Sequence, residues 1–397
     1  MQTKLLHTPE GVRDIYNDEC ERKLGLQKDL HEVLKSYGYR DIETPTFEFF
    51  DVFNHDVGTI PSRELYKFFD REGNTLVLRP DITPSIARAV SKYFKDEEKE
   101  IRLCYEGKTF VNNSSYQGRL KETTQLGAEL IGADNAQADA EIIAMVVDCL
   151  KKSGLEEFQI SIGQVQYFKS IIRDACMDEE TEATLKDFIS NRNIFGVENV
   201  LSELQMDTRN REALTQLPSL YGSVEILEKA MRLACNKGAR AAVQRLLEIY
   251  EILECYGIED YISFDFSMLS RYNYYTGIFF RGYTFGSGDA VVKGGRYDNL
   301  LGHFGKDAPS IGFVAVIDQL LAALSRQNIR RRLLKRAQEI YYAKSQQKTA
   351  IRLAKKIREN GGSAVLYLEP EEKSEDLQKN LDVLCKSYNI ADTEVNV

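Results

Sequence analysis

Four short segments carry side chains whose types and spacing could bind or transform a small molecule. In Gln125-Leu126-Gly127-Ala128-Glu129-Leu130-Ile131-Gly132, a strand would turn Gln125, Gly127 and Glu129 to one face and Leu126, Ala128 and Leu130 to the other, because side chains alternate with a period of two. Gln125 and Glu129 would then stand ~13 Å apart at ~3.3 Å per residue, with a gap at Gly127 over which a small polar molecule could lie. A solvated polar face with a glycine kink is the plainer alternative. In Leu78-Arg79-Pro80-Asp81-Ile82-Thr83-Pro84, an acid and a hydroxyl two residues apart could receive an ammonium group. Thr83 could equally cap a helix over Ser85 to Tyr93, since Pro84 suits a first helical turn. In Asn273-Tyr274-Tyr275-Thr276-Gly277, two phenols stand at the mouth of a strand. They are either a core edge or, with a carboxylate, partners for an imidazole, whose two nitrogens need separate hydrogen-bond partners. Gly294-Gly295-Arg296-Tyr297-Asp298 reads as a tight turn that brings backbone close to a ligand or a neighbouring strand.

These segments need a scaffold, and the hydrophobic periodicity supplies one. Leu26, Leu30, Val33, Leu34 and Tyr37 predict one face of a helix over Cys20 to Tyr37. A strand follows near Arg40 to Thr44, and Pro45 confines it to an edge or an interface. Strands over Thr75 to Leu78, Ile101 to Phe110 and Thr123 to Ile131, joined by loops, predict antiparallel pairing and exclude a Rossmann arrangement. A helix over Ala136 to Lys152 and a strand at Phe158, Ile160 and Ile162 come next. From about 166 to 256 the pattern is helical and reads as an insertion. Strands resume at Ile262 to Phe266, Gly277 to Phe285 and Ala290 to Lys293, and a helix covers Asp318 to Leu324. The expected main domain is 1–325. After the run Arg330-Arg331-Arg332-Leu333-Leu334-Lys335-Arg336, a solvated linker or a polyanion contact, a small α/β segment over 335–397 is expected, with strands at Ile340 to Ala343 and Ala364 to Leu368.

Bulk properties limit the function. A net charge of −9 over 397 residues gives no general attraction for nucleic acid. The seven cysteines are at least 20 residues apart, which excludes a CxxC knuckle or a dense disulfide framework and reads as buried thiols in a reducing cytoplasm. No apolar stretch suggests a signal peptide or a membrane span.

In their order along the chain, these segments resemble the catalytic core of histidyl-tRNA synthetase, a class II aminoacyl-tRNA synthetase fold. The resemblance runs from Pro9-Glu10-Gly11-Val12-Arg13-Asp14 to about Leu324. It rests on the proline-bearing region at Pro45, LRPDIT at Leu78 to Thr83, GRLKETTQLGAELIG at Gly118 to Gly132, the paired tyrosines, KGGRYDNL at Lys293 to Leu300 and PSIGFVAVIDQL at Pro309 to Leu320. It implies an α+β fold, an antiparallel sheet flanked by helices. It also implies that Asp81, Thr83 and Gln125 contact the amino-acid end of histidine, while Glu129 and Tyr275, with Tyr274 beside them, meet its ring. Asp81 stands where the synthetases usually carry Glu.

The departures from that family all fall on the ATP site. The phosphate-gripping arginine after a phenylalanine is replaced, since Val111 follows Phe110, and the acid two positions on is Asn113. The arginine ahead of the paired tyrosines falls on Ser270, and Arg271, one residue away, would face the other side of a strand. The closing Glu-Arg-Leu is Asp318-Gln319-Leu320. Removing one such charge-stabilising donor costs roughly 10²–10³ in rate at comparable sites, so no catalysis, cofactor or metal is expected. A synthetase-like histidine pocket without adenylation machinery resembles the regulatory-subunit family of ATP phosphoribosyltransferase, the first enzyme of histidine biosynthesis. That resemblance implies a short catalytic partner subunit, histidine as effector, a homodimer within a larger hetero-oligomer, and no tRNA or membrane contact. An active histidyl-tRNA synthetase and a synthetase-like binding module for another process remain the alternatives.

Overall fold

The computed structural model describes residues 6–53, 60–113, 119–269, 275–329 and 336–390. The chain divides into two units, Met1–Arg331 and Arg332–Val397.

The first unit opens with α1 (Asn17–Ser36), in which Leu26, Leu30 and Leu34 recur every fourth residue and are fully buried, as the stripe of an amphipathic helix requires. Five short elements follow: β1 (Arg40–Asp41), β2 (Phe47–Phe49), β3 (Lys67–Phe69), β4 (Thr75–Leu78) and α2 (Thr83–Tyr93). The long hairpin strands β5 (Ile101–Phe110) and β6 (Glu122–Ile131) lead into α3 (Ala136–Ser153) and β7 (Phe158–Gln164). Between β7 and the next long strand the chain is helical: α4 (Val165–Asp174), α5 (Glu179–Ser190), α6 (Ile194–Ser202), α7 (Thr208–Gln216), the two-residue β8 (Tyr221–Gly222), α8 (Glu225–Leu233) and α9 (Lys237–Tyr256). Then come β9 (Ile262–Asp265), β10 (Ile278–Thr284), β11 (Val292–Arg296), β12 (Ser310–Val316) and α10 (Ile317–Arg326).

Nine of these strands form one sheet in the order β1-β5-β6-β12-β11-β10-β7-β9-β8. Its centre is antiparallel as expected, while β1–β5 and β7–β9 pair in parallel near its edges. β1, ahead of Pro45, is an edge strand. β4 belongs elsewhere, to a three-stranded sheet of order β2-β4-β3. The alternation expected for β6 holds: Leu126, Ala128 and Leu130 are fully buried in the core shared with α1, α3 and α10, which leaves Gln125, Gly127 and Glu129 for the other face. The expected turn at Gly294-Gly295 is wrong. Both residues lie inside β11, paired to Phe280 and Phe279 of β10 and to Phe313 and Gly312 of β12. A Cβ on Gly294 would collide with the Phe280 ring and the Gly312 carbonyl, so these glycines permit close strand packing, not a reversal.

In the second unit, β13 (Gln338–Tyr342) and β14 (Ala364–Leu368) pair in parallel, with α11 (Gln347–Glu359) and α12 (Ser374–Ser387) covering one face around Ile340, Leu353, Ile357 and Leu381. The basic run at 330–335 lies outside the described residues. No described helix is long and apolar enough to cross a membrane.

Candidate functional site

Register decides what surrounds the polar face of β6. Tyr105 of β5 and Val314 of β12 flank Gly127, while Leu103 and Gly312 flank Glu129, and residues paired across strands share a face. A Cβ on Gly127 would meet the Tyr105 phenol and the Phe313 carbonyl. Tyr105 therefore fills the gap that the sequence left for a ligand. Gly312 has the complementary use. A Cβ there would overlap the Glu129 carboxyl, so the missing side chain on β12 makes room for the acid.

Glu129 is 1% exposed. The Thr83 hydroxyl donates to its Oε1 at 2.8 Å and the Tyr297 hydroxyl to its Oε2 at 2.5 Å. Burial pushes the Glu129 carboxyl up to about 8, against the pull of the Tyr297 and Thr83 hydrogen bonds and with a further push from the Asp81 charge. Desolvation penalises the charged form more than two donors recover, so the acid is protonated at neutral pH while no ligand touches it. Tyr297 and Tyr105 are held well above the ordinary phenol value by burial first and by Glu129 second. The Tyr105 hydroxyl is near enough to Glu129 and Asp81 to feel their charge, but it makes no well-aligned hydrogen bond.

Thr83 is not a helix cap. Ile82 occupies that position, with no side-chain cap, and Thr83 begins α2 with its hydroxyl turned to the sheet. Asp81, two residues earlier, accepts the Ile82 amide at 2.8 Å. Behind this segment Arg79 is 5% exposed and donates to the carbonyls of Thr44 at 2.7 Å, Pro45 at 3.3 Å and Lys108 at 2.9 Å. It thereby ties the proline-bearing loop to the residues that lead into the site.

Asp81, Thr83, Gln125, Glu129 and Tyr275 line one cavity of about 170 Å³, together with Thr109, Val111, Lys293, Gly295, Tyr297 and Gly312 among others. That volume is below the roughly 300–1,000 Å³ of sites for drug-sized ligands and suits a single amino acid. The Gln125 side-chain oxygen is buried without a hydrogen-bond partner, as a group waiting for a ligand would be. Tyr275 stacks on Phe279 with ring centroids 5.6 Å apart. Tyr274 lies outside the described residues, so five of the six expected side chains are brought together and the sixth is not located.

A clasp behind the cavity positions its tyrosines. Asp298 accepts the Thr276 hydroxyl at 2.6 Å and the Ser310 amide at 3.0 Å, and its partner Arg296, 4% exposed, bonds it at 3.0 Å. Arg296 also pairs at 2.6 Å with Asp139 at the start of α3, which Arg245 of α9 meets at 2.7 Å. Thr276 and Asp298 are the chain neighbours of Tyr275 and Tyr297. The sequence singled out Tyr297 only as part of a turn and missed Tyr105 and Gly312. The two-residue alternation along Ile101–Phe110 marks the face of Tyr105, but its place beside Glu129 follows from register.

Among the described residues that line the cavity there is no arginine, and Lys293 pairs with Asp289 at 3.1 Å. Val111, the position at which the resemblance expects a phosphate-gripping arginine, lines the wall. Asp318 lies beyond the opposite face of β6, paired with Lys23 at 2.8 Å and accepting the Thr124 amide at 2.6 Å. Ser270 and Arg271 lie outside the described residues.

Comparison with known proteins adds a lineage to this geometry. A sequence model described as histidyl-tRNA synthetase matches residues 11–320. A protein of Acetivibrio thermocellus named ATP phosphoribosyltransferase regulatory subunit is 37% identical over 90% of this chain and 85% of its own length. One of the same name from Clostridium kluyveri is 38% identical over 92% of this chain and 94% of its own. Among solved structures, an ATP phosphoribosyltransferase regulatory subunit/histidyl-tRNA synthetase from Bacillus halodurans matches with a TM-score of 0.83 at 33% identity, covering 96% of both chains. A histidyl-tRNA synthetase from Nostoc, 19% identical with a TM-score of 0.77 over 97% of this chain and 90% of its own, shares the fold.

Proposed function

The chain belongs to the histidyl-tRNA synthetase family and, within it, to the regulatory subunits of ATP phosphoribosyltransferase, and from that premise we propose that its cavity binds free histidine and reports it to a catalytic partner. As a regulatory subunit it takes part in histidine biosynthesis without being the catalyst. The observation that carries the histidine reading is the convergence of Asp81, Thr83, Gln125, Glu129 and Tyr275, from separate segments, on one small cavity with no arginine among its described lining residues.

In this reading Asp81 receives the ammonium group, and Thr83 and Gln125 hold the amino-acid end. The ring lies between Glu129 and Tyr275, and Tyr274 is expected to bind histidine as well. Glu129 has the chemistry an imidazole needs: its carboxyl, protonated near neutral pH, can give or share a proton with a base of similar pKa. Regulation then follows from differential affinity. Histidine favours the arrangement of the complex in which it binds more tightly, and such coupling typically amounts to ~1–3 kcal/mol.

The partner in this proposal is a short catalytic chain that is active when joined to this one and inhibited when histidine fills the cavity. Self-association is proposed as well. β2 and β3 turn Phe47 and Phe49, each more than half exposed, and Phe68 to one face of the small sheet, with Phe47 packed edge-on to Phe68 at 5.7 Å. An aromatic patch of this kind favours a homodimer within the larger complex. With a net charge of −9, tRNA is not proposed as a ligand. The test is reconstitution: the short catalytic chain assayed with and without this one, over a histidine series. Activation by the wild-type chain, with inhibition by histidine that Glu129→Ala abolishes, is expected; inhibition unaltered by that substitution would place the histidine site elsewhere.

A further inference from the structure

A second constellation lies at the sheet edge, apart from the residues that line the cavity. His31 projects from α1, Asp41 from β1 and Cys104 from β5, and Asp41 and Cys104 are paired across the parallel β1–β5 register. His31 Nε2 is 2.5 Å from Asp41 Oδ1, and the Cys104 thiol donates to the same oxygen at 3.4 Å. One nitrogen, one oxygen and one sulfur thus lie within 4.8 Å of one another. Ligands around a tetrahedral zinc ion, with bonds of about 2.0–2.3 Å, stand roughly 3.3–3.8 Å apart. Small side-chain shifts therefore bring these atoms onto a common centre.

We propose that His31, Asp41 and Cys104 form a binding site for a borderline-soft divalent metal ion of the zinc type, with its fourth position open to solvent. The donor set selects the metal: imidazole and thiolate favour zinc-like ions, whereas magnesium and calcium take oxygen ligands. Wide cysteine spacing excludes a sequence-local knuckle, not ligands gathered from three elements. The site opens on a cleft of about 620 Å³, also lined by Gln27, Lys28, Glu43 and Glu106, which gives the ion an entry path and a water ligand.

Charged groups surround the site. Lys35 holds the other Asp41 oxygen at 2.8 Å, so Asp41 would coordinate through the oxygen that already meets His31 and Cys104. Lys28 and Lys35 oppose a bound cation, and Glu43 and Glu106 favour it. Coordination displaces the Cys104 thiol proton: the S–H bond breaks, a metal–sulfur bond forms, and one proton passes to solvent.

The test is a titration of the full chain, stripped with a chelator, first with Co²⁺ and then with Zn²⁺ in competition. One equivalent of Co²⁺ should raise a thiolate-to-metal charge-transfer band that Zn²⁺ abolishes. Cys104→Ser should remove the band. His31→Ala, at a partly exposed position on α1, should weaken binding by at least the tenfold to hundredfold that loss of even an outer partner causes. No band at one equivalent would overturn the proposal. So would a band that survives Cys104→Ser, which would assign the ion to another thiol such as the exposed Cys176 or Cys255, or an affinity unchanged by His31→Ala.

Discussion

Replacing Glu129 with Gln isolates an acid whose burial pushes its carboxyl up to about 8. Gln mimics the neutral carboxyl in shape, and the Tyr297 and Thr83 hydroxyls can each rotate to donate or accept. The wild-type carboxyl moves from 4.5 in the unfolded chain to about 8 when folded. Between those values the unfolded state releases a proton that the folded state retains. Stability therefore falls as pH rises, by roughly 1.4 kcal/mol per pH unit for one proton. The penalty is absent below about pH 4.5 and complete above about pH 8, where it totals about 5 kcal/mol. Glu129→Gln carries no such term. In urea unfolding of the first unit from pH 5.5 to 7.5, the variant should gain about 3 kcal/mol on the wild type, and the gap should level off above pH 8. Parallel profiles for the two proteins would refute the claim that burial holds this acid neutral.

Other consequences are equally concrete. Gly312→Ala pushes a methyl group into the Glu129 carboxyl; it should cost ~1–3 kcal/mol in stability, as overpacking does, and lower histidine affinity at least about tenfold, read by denaturation and calorimetry. Asp298→Asn weakens the partly exposed pair with Arg296, which keeps Asp139, and loosens the neighbours of Tyr275 and Tyr297; a loss of ~1–3 kcal/mol is expected, visible as a lower Tm, and the folded protein should bind histidine more weakly. With ATP, histidine and pyrophosphate supplied, the chain should show no exchange of label into ATP above background. Histidine-dependent exchange would mean that a guanidinium outside the described residues still serves the phosphate.

Much of the scaffold was legible because its signals are local. The alternation of Leu126, Ala128 and Leu130 against Gln125 and Glu129 assigned faces to β6 correctly, and β4, β5 and β14 have the ends that residue patterns gave them. What failed depended on partners distant in sequence. Gly294-Gly295 reads as a turn because a glycine pair usually marks one, yet here the pair lets three strands and the Tyr275 ring pack closely. Thr83 could be read equally as a cap, because Pro84 follows it, or as a ligand contact; a buried carboxyl 46 residues away, which neither reading foresaw, takes its hydroxyl. Tyr105 fills the space over Gly127 because β5 and β6 pair in one register and no other. The same dependence hides the His31, Asp41 and Cys104 cluster, whose members come from three elements.

Titration calorimetry of histidine into the isolated chain, run beside Glu129→Ala and with ATP as a second ligand, tests the whole account most directly. Saturable binding of one histidine per chain, lost in the variant, with no heat from ATP, is the predicted result. Silence from histidine, or tight binding of ATP, would contradict the account.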